Sequence, residues 1–225
     1  MAQLPLSLNL PPVYSADNFF VSASNQEAYR WITIWPHWPD HAVLICGPKG
    51  CGKTHLGQLW AKQARAQSWP ASGLDAMDPA AMRAHWLIED IERTRDERLL
   101  LHLFNMTREQ GFRLLLTSAV APYHLPFTLP DLTSRLLAMP YATIVQPDDT
   151  VLAGAMRKQF ADRQMKVADD VIAYALPRME RSLGKVRELV ELVDKSALAE
   201  RKNVTVPFIK RLLETGMQQS FDLKT

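Results

Sequence analysis

The run Gly47-Pro48-Lys49-Gly50-Cys51-Gly52-Lys53-Thr54 constrains this chain more than any other stretch, because it fits the G-x-x-x-x-G-K-[ST] pattern without a mismatch. Glycines at both ends of the run permit backbone conformations closed to other residues, so consecutive N–H groups can converge on one anion. Lys53 supplies positive charge toward the outer phosphates of a nucleotide, and the Thr54 hydroxyl can ligate magnesium. The flanks agree with that reading. Ala42-Val43-Leu44-Ile45-Cys46 is a short, wholly apolar strand, and 55–66 follows with helical spacing. Such a helix aims its unpaired N-terminal amides and its dipole at the anion. A coincidental strand-turn-helix is the competing reading. Glycine makes up only about 7% of average chains, so chance is a weak competitor.

The chain has 225 residues and a formal charge of +2, enough for a sizeable core and for one main domain with a small second one. Residues 1–146 carry 12 basic and 12 acidic side chains and residues 147–225 carry 14 and 12, which argues against a strong electrostatic footprint for nucleic acid. Cys46 falls in the expected strand and Cys51 in the loop, a placement that does not suggest a disulfide framework. No apolar run reaches membrane-spanning length and the N-terminus lacks the basic region of a signal peptide, so a soluble, cytoplasmic protein is expected.

Along the chain, a proline-bearing apolar tail (1–14) precedes a helix expected over 25–35 and then the phosphate-loop unit. The segment 70–79 gives no clear local signal. Trp86-Leu87-Ile88 reads as a buried strand, 93–109 as a helix, 112–117 as another buried strand and 142–145 as a short one. Beyond Pro147 the pattern is helical only, over 149–160, 168–176, 181–192 and 207–214. Strands alternating with helices, then helices alone, predict an α/β core on a parallel sheet followed by a small all-helical domain. The expected divisions are a tail at 1–14, a core at 15–146 and a helical domain at 147–225.

Glu89-Asp90 stands at the carboxyl end of the strand at Trp86, where open α/β sheets place their ligands. A carboxylate there can hold magnesium directly or through water, and its neighbour can orient an attacking water. Glu89 is the metal-side candidate and Asp90 the catalytic one. A solvated acidic strand end is the alternative. His37, His41, His85, His102 and His124 show no close metal-ligand spacing, and the six tryptophans are too scattered to form a base-stacking platform. Arg135 follows a strand end and falls on the expected rim of the core, from which it could reach a neighbouring subunit's phosphate. Arg187 lies in the helical domain and could report on the γ-phosphate if that domain folds over the core. Taken alone, both are equally compatible with solvated helix arginines.

Several segments together resemble the AAA+ proteins related to the replication initiator DnaA, and among them the Hda family. Asp17-Asn18-Phe19-Phe20 and Ser24-Asn25-Gln26-Glu27-Ala28 look like the segment beside the adenine pocket, and 47–56 is similar to the family's GKTHL-type loop, which includes His55. Leu87 to Ile91 matches its acidic strand, and Leu103-Phe104-Asn105 resembles the helix that follows. Leu129 to Leu136 resembles the box that carries the arginine finger, and Val186-Arg187-Glu188-Leu189 resembles the sensor 2 helix. Thr205 to Lys210 resembles the family's terminal helix. The resemblance implies an AAA+ core with a helical lid, ADP or ATP with magnesium as ligands, Arg135 as a finger acting in trans, and Arg187 as a nucleotide sensor. No segment resembles the helix-turn-helix domain of DnaA, so specific origin binding is not expected.

Gln3-Leu4-Pro5-Leu6-Ser7-Leu8 resembles the Q-L-x-L-x-L peptide by which Hda docks on the DNA polymerase sliding clamp. Gln3 can make directional hydrogen bonds while Leu4, Leu6 and Leu8 enter an apolar groove, and Pro5 limits the entropy lost on ordering. A tail packed on its own domain is the bland alternative. Two departures bear on catalysis. Ala119 stands where DnaA-type proteins commonly have the sensor 1 aspartate, and Glu89-Asp90 replaces paired aspartates. These departures imply weak intrinsic hydrolysis and an activity directed at partners: a regulator that, with the DNA-loaded clamp, promotes hydrolysis of DnaA-bound ATP and represses re-initiation. An independent P-loop ATPase or loader-like adaptor, and a non-hydrolysing interaction module, are the alternatives. A homo-oligomer is compatible with each.

Overall fold

Apolar side chains alternate along the central strands in a way that leaves neither face of the sheet free for water. In the computed structural model, which describes residues 19–77 and 83–222, five parallel strands form one sheet in the order β2-β3-β4-β1-β5. The strands are β1 (Ala42–Cys46), β2 (Gln67–Pro70), β3 (Trp86–Glu89), β4 (Leu114–Ser118) and β5 (Tyr141–Thr143). Ala42 and Leu44 of β1, Trp86 and Ile88 of β3, and Leu114 and Leu116 of β4 face one apolar cluster. Val43 and Ile45, Leu87 and Leu115 face the other. This period of two, apolar on both faces, is the signature of a central parallel strand covered by helices.

Helices α1 (Gln26–Thr33) and α2 (Lys53–Ala64) cover the second cluster, with Ile32, Leu56 and Trp60 buried. Helices α3 (Glu97–Glu109) and α4 (Pro130–Ala138) cover the first, contributing Leu100, Leu103, Phe104, Leu132 and Leu136. After β5 the chain is helical only: α5 (Asp149–Asp162), α6 (Asp169–Ala175), α7 (Leu183–Glu200) and α8 (Val206–Asp222). These helices have a core of their own, built on Leu152, Met156, Phe160, Ile172, Val186, Val190 and Ile209. The α/β core with a parallel sheet followed by a small helical domain is therefore the architecture observed.

The local differences from the sequence expectation have identifiable causes. The helix expected from Arg93 starts at Glu97, because Asp96 takes the N-cap and accepts hydrogen bonds from the Arg98 and Leu99 amides at 2.9 and 3.0 Å. Residues Ile91–Arg93 form a separate 3-10 turn. The segment around Pro70 resolves into edge strand β2 and a 3-10 turn at Ala71–Ala76. Helix α4 adds an element between β4 and β5, with Pro130 in its first turn where no amide is needed. Helix α7 runs to Glu200, beyond the expected end at 192. Gln3, Leu4, Leu6, Leu8, Asp17, Asn18 and Pro79 lie outside the described residues.

Candidate functional site

The 47–54 loop leaves the carboxyl end of β1 and turns directly into α2. Gly47 has φ +154°, and a Cβ there would collide with the carbonyl oxygen of Ile144, so only glycine lets the loop pass β5's continuation. Lys53 is buried within the loop's curve, donating from Nζ to the carbonyl oxygens of Gly47 and Pro48 at 2.7 and 3.0 Å. Helix α2 has Gly52 at its N-cap, which supplies no side-chain cap. The N-terminus of α2 thus rises directly out of the loop, the arrangement that favours a phosphate. Cys51 is buried, and desolvation raises its thiol pKa despite the nearby Lys53 charge, so this cysteine is a packing group and not a nucleophile.

Glu89 reaches this loop from the end of β3. Burial pushes its carboxyl upward and the Asp90 charge adds to that, against hydrogen bonds from the Thr54 and Gln58 side chains. Its Oε1 is buried without a hydrogen-bond partner. An acceptor left unsatisfied beside a threonine hydroxyl and a phosphate loop fits a magnesium site completed by phosphate oxygens and water. Among the described residues no group of three or more His, Cys, Asp or Glu side chains is placed to hold a metal ion.

The neighbouring acids are arranged differently. Asp90 adopts a left-handed backbone (φ 55°, ψ 56°) and donates its N–H to Thr117 Oγ1 at 3.0 Å, which ties the end of β3 to β4. Its carboxylate lies 3.8 Å from Arg93 Nε. At Ala119, the side chain is a methyl, but the backbone N–H donates to Glu92 Oε1 at 3.1 Å, and Glu92 Oε2 is buried without a partner. A carboxylate thus reaches the end of β4 from a neighbouring turn, a feature that the chain order conceals.

The helical domain touches the loop directly. Ser182 caps α7 by accepting from the Lys185 N–H at 3.1 Å, and the Leu183 N–H donates to the Gly50 carbonyl at 3.1 Å. A Cβ at Gly50, where φ is +79°, would sit 2.8 Å from Ser182 Cβ. Arg187 is exposed one turn further along α7. The structure brings its helix to the loop. Ser182 ahead of an apolar-periodic run was the available sequence signal for this contact. On the other side Phe19 stacks on Tyr29 at 5.6 Å between centroids and meets the His55 ring edge-on at 5.3 Å.

Arg135 is elsewhere. Half-buried on α4, its guanidinium lies 5.7 Å over the Phe104 ring, in a cleft it shares with Asp40, His41 and Arg108. His41 immediately precedes β1, whereas the phosphate loop follows that strand's other end. At about 3.3 Å per residue, β1 separates the two by roughly 16 Å. Arg135 and the chain's own loop therefore do not share a site.

The fold has counterparts in proteins of known structure. Domain III of the Thermotoga maritima replication initiation protein DnaA superposes with a TM-score of 0.77, at 20% identity, covering 92% of this chain and 98% of that one. AMPPCP-bound DnaA from Aquifex aeolicus gives 0.73 at 19% identity, over 93% of this chain and 71% of that one. The fold is AAA+. Residues 148–213 match the family model described as "Hda, lid domain", so the helices after β5 are the lid. A Haemophilus influenzae protein described as uncharacterized is 25% identical over 187 residues, 75% of this chain and 80% of its own length. No described helix is long and apolar enough to cross a membrane.

Proposed function

We propose that this chain is a DnaA-related AAA+ regulator of the Hda type, which binds ADP or ATP itself and stimulates ATP hydrolysis on DnaA. The separation of Arg135 from the chain's own loop by the length of β1 carries this reading. An arginine so placed serves a nucleotide on another chain, where it stabilises negative charge developing on the phosphoryl group. The match of the lid to Hda and the likeness of the whole fold to DnaA domain III support DnaA as that other chain.

Within its own site, Lys53 and the N-terminus of α2 bind the phosphates, and Thr54 and Glu89 would hold magnesium. That ion, when bound, neutralises phosphate charge. The Gly50–Leu183 hydrogen bond makes lid position respond to the state of the loop, so nucleotide fixes the relation of core and lid. Residues 3–8, with Gln3, Leu4, Leu6 and Leu8, would capture the sliding clamp and localise the protein to replicating DNA.

The test is hydrolysis of ATP preloaded on DnaA, with DNA-loaded clamp and this protein present or omitted. Acceleration is expected; it should lose its clamp dependence on deletion of residues 3–8 and be suppressed by Arg135→Ala with clamp binding retained. No acceleration overturns the reading. Strong turnover by the isolated chain, indifferent to DnaA and clamp and abolished by Lys53→Ala, would instead assign an independent ATPase.

A further inference from the structure

The cleft that holds Arg135 contains a second arginine that neither motif nor resemblance singles out. Arg108 and Phe104 stand one turn apart on α3 and face the same cavity as Arg135, Ser134 and Asp131 of α4. Phe104 is buried, and its ring holds the Arg135 guanidinium. Among the described residues neither Arg108 nor Arg135 forms an ion pair. The two acids of the cleft are occupied or local. Asp40 Oδ1 accepts from the His41 backbone N–H at 2.6 Å and lies 2.7 Å from His41 Nδ1. Burial raises the Asp40 carboxyl, but those hydrogen bonds and the attraction of His41 and Arg108 outweigh it and hold it below the usual range. Asp131 sits in the first turn of α4, where a negative charge complements the helix dipole, and its carbonyl takes the Ser134 hydroxyl at 3.0 Å.

We propose that Arg108 and Arg135 together form a two-guanidinium clamp for the phosphate end of a nucleotide held by a second AAA+ subunit. The inference rests on the trans role of Arg135 proposed above and adds a second residue to it. Each guanidinium offers a planar fork of donors that matches phosphate oxygens. The cavity is about 310 Å³, at the lower end of the range for small-molecule sites, so it admits the terminal phosphates and not a whole nucleotide. Two forks lining one cavity answer charge spread over several equatorial oxygens better than one. Phe104 is the positioning residue: it fixes Arg135 in the orientation that Arg108, on the same helix face, completes.

Arginine-selective modification with phenylglyoxal, resolved by peptide mapping, tests the clamp directly. The full chain first holds ADP in its own loop, and inorganic tripolyphosphate is the probe. Tripolyphosphate is expected to slow modification of Arg108 and Arg135 together, and Arg108→Ala to remove most of the protection at Arg135. Arg108 is exposed, so ADP binding by that variant should match the wild type and report an intact fold. Stimulated hydrolysis on ATP-loaded DnaA should fall on the order of tenfold in Arg108→Ala, the loss of one charge-assisted contact, with Arg108→Lys intermediate. Equal reactivity of Arg108 with and without tripolyphosphate overturns the clamp, as does full stimulation by Arg108→Ala when Arg135→Ala has lost it. Joint protection in a wild-type chain that fails to stimulate DnaA would keep the clamp and reject DnaA as its partner.

Discussion

Glu89 concentrates the electrostatic cost of the nucleotide site in one side chain. Its carboxyl is raised chiefly by burial, and Oε1 has no donor. An unfolded chain titrates this group near its ordinary value of 4.5, and the folded chain binds the proton more tightly. The associated stability is complete below that value and is lost as pH rises through the folded pKa. The ionised form of Glu89 is thus the costly one in the folded chain, desolvated and short of a donor. Glu89→Gln should raise the melting temperature of the nucleotide-free protein at pH 7, with the advantage shrinking as pH falls toward 4.5. Magnesium and ADP should reverse the order, because the wild-type carboxylate then has a cation to answer it. Thermal melts across pH, with and without the ligand pair, read both signs; a pH-independent difference would show that Glu89 is not the strained group.

At the scale of elements, the lid contact is set by two backbone groups and one missing Cβ. Gly50→Ala places a side chain at φ +79° and 2.8 Å from Ser182 Cβ. The left-handed conformation alone costs about 1–2 kcal/mol in a residue with a Cβ. The clash also pushes the start of α7 away from the loop. Hydrogen exchange at the Leu183 amide, which bonds the Gly50 carbonyl at 3.1 Å, should accelerate in Gly50→Ala, and ADP affinity should fall about tenfold for each ~1.4 kcal/mol of misplacement. Unchanged exchange at Leu183 would mean that the lid takes its position from other contacts. Elements with a continuous apolar signal were legible in the sequence: β1, β3 and β4 are buried on both faces and bounded by turns. Strand β2 was not, because Gln67, Ser68 and Pro70 are exposed on the sheet edge and carry no apolar pattern. The strand-turn-helix around 47–54 was legible because its residues are contiguous in the chain. The Arg108–Arg135 cleft and the Glu92–Ala119 contact join residues 27 positions apart, a distance only the sheet closes.

For the whole molecule, the question is how an independent lid core stays coupled to the sheet domain. The covalent link is the short passage after β5. The segment at 19–25 supplements it: Phe19 packs in the cluster beside α1 and α2, while Phe20 packs against the lid cluster. Phe20 lies so close to α5 that a Cβ at Gly154 would be 2.7 Å from Phe20 Cδ1. The same segment is fastened by Val145 N–H to the Ser24 carbonyl at 3.1 Å and by a hydrogen bond between the Ser22 side chain and Asp148, the residue that caps α5. Phe20 is therefore the apolar wedge of a strap that belongs to the core and is seated in the lid. A fully buried Phe→Ala costs about 3–5 kcal/mol; Phe20 is half-buried, so about 1–3 kcal/mol is expected, borne by the lid. Because lid and core each have an apolar cluster, losing the wedge should split the calorimetric unfolding of Phe20→Ala into a lid transition that moves down by several degrees and a core transition that stays. ADP should narrow the gap between them, since the loop it occupies is bonded to the start of α7. A single transition displaced as a whole would place the coupling in the 146–148 passage and the Gly50–Leu183 contact, and make the strap dispensable.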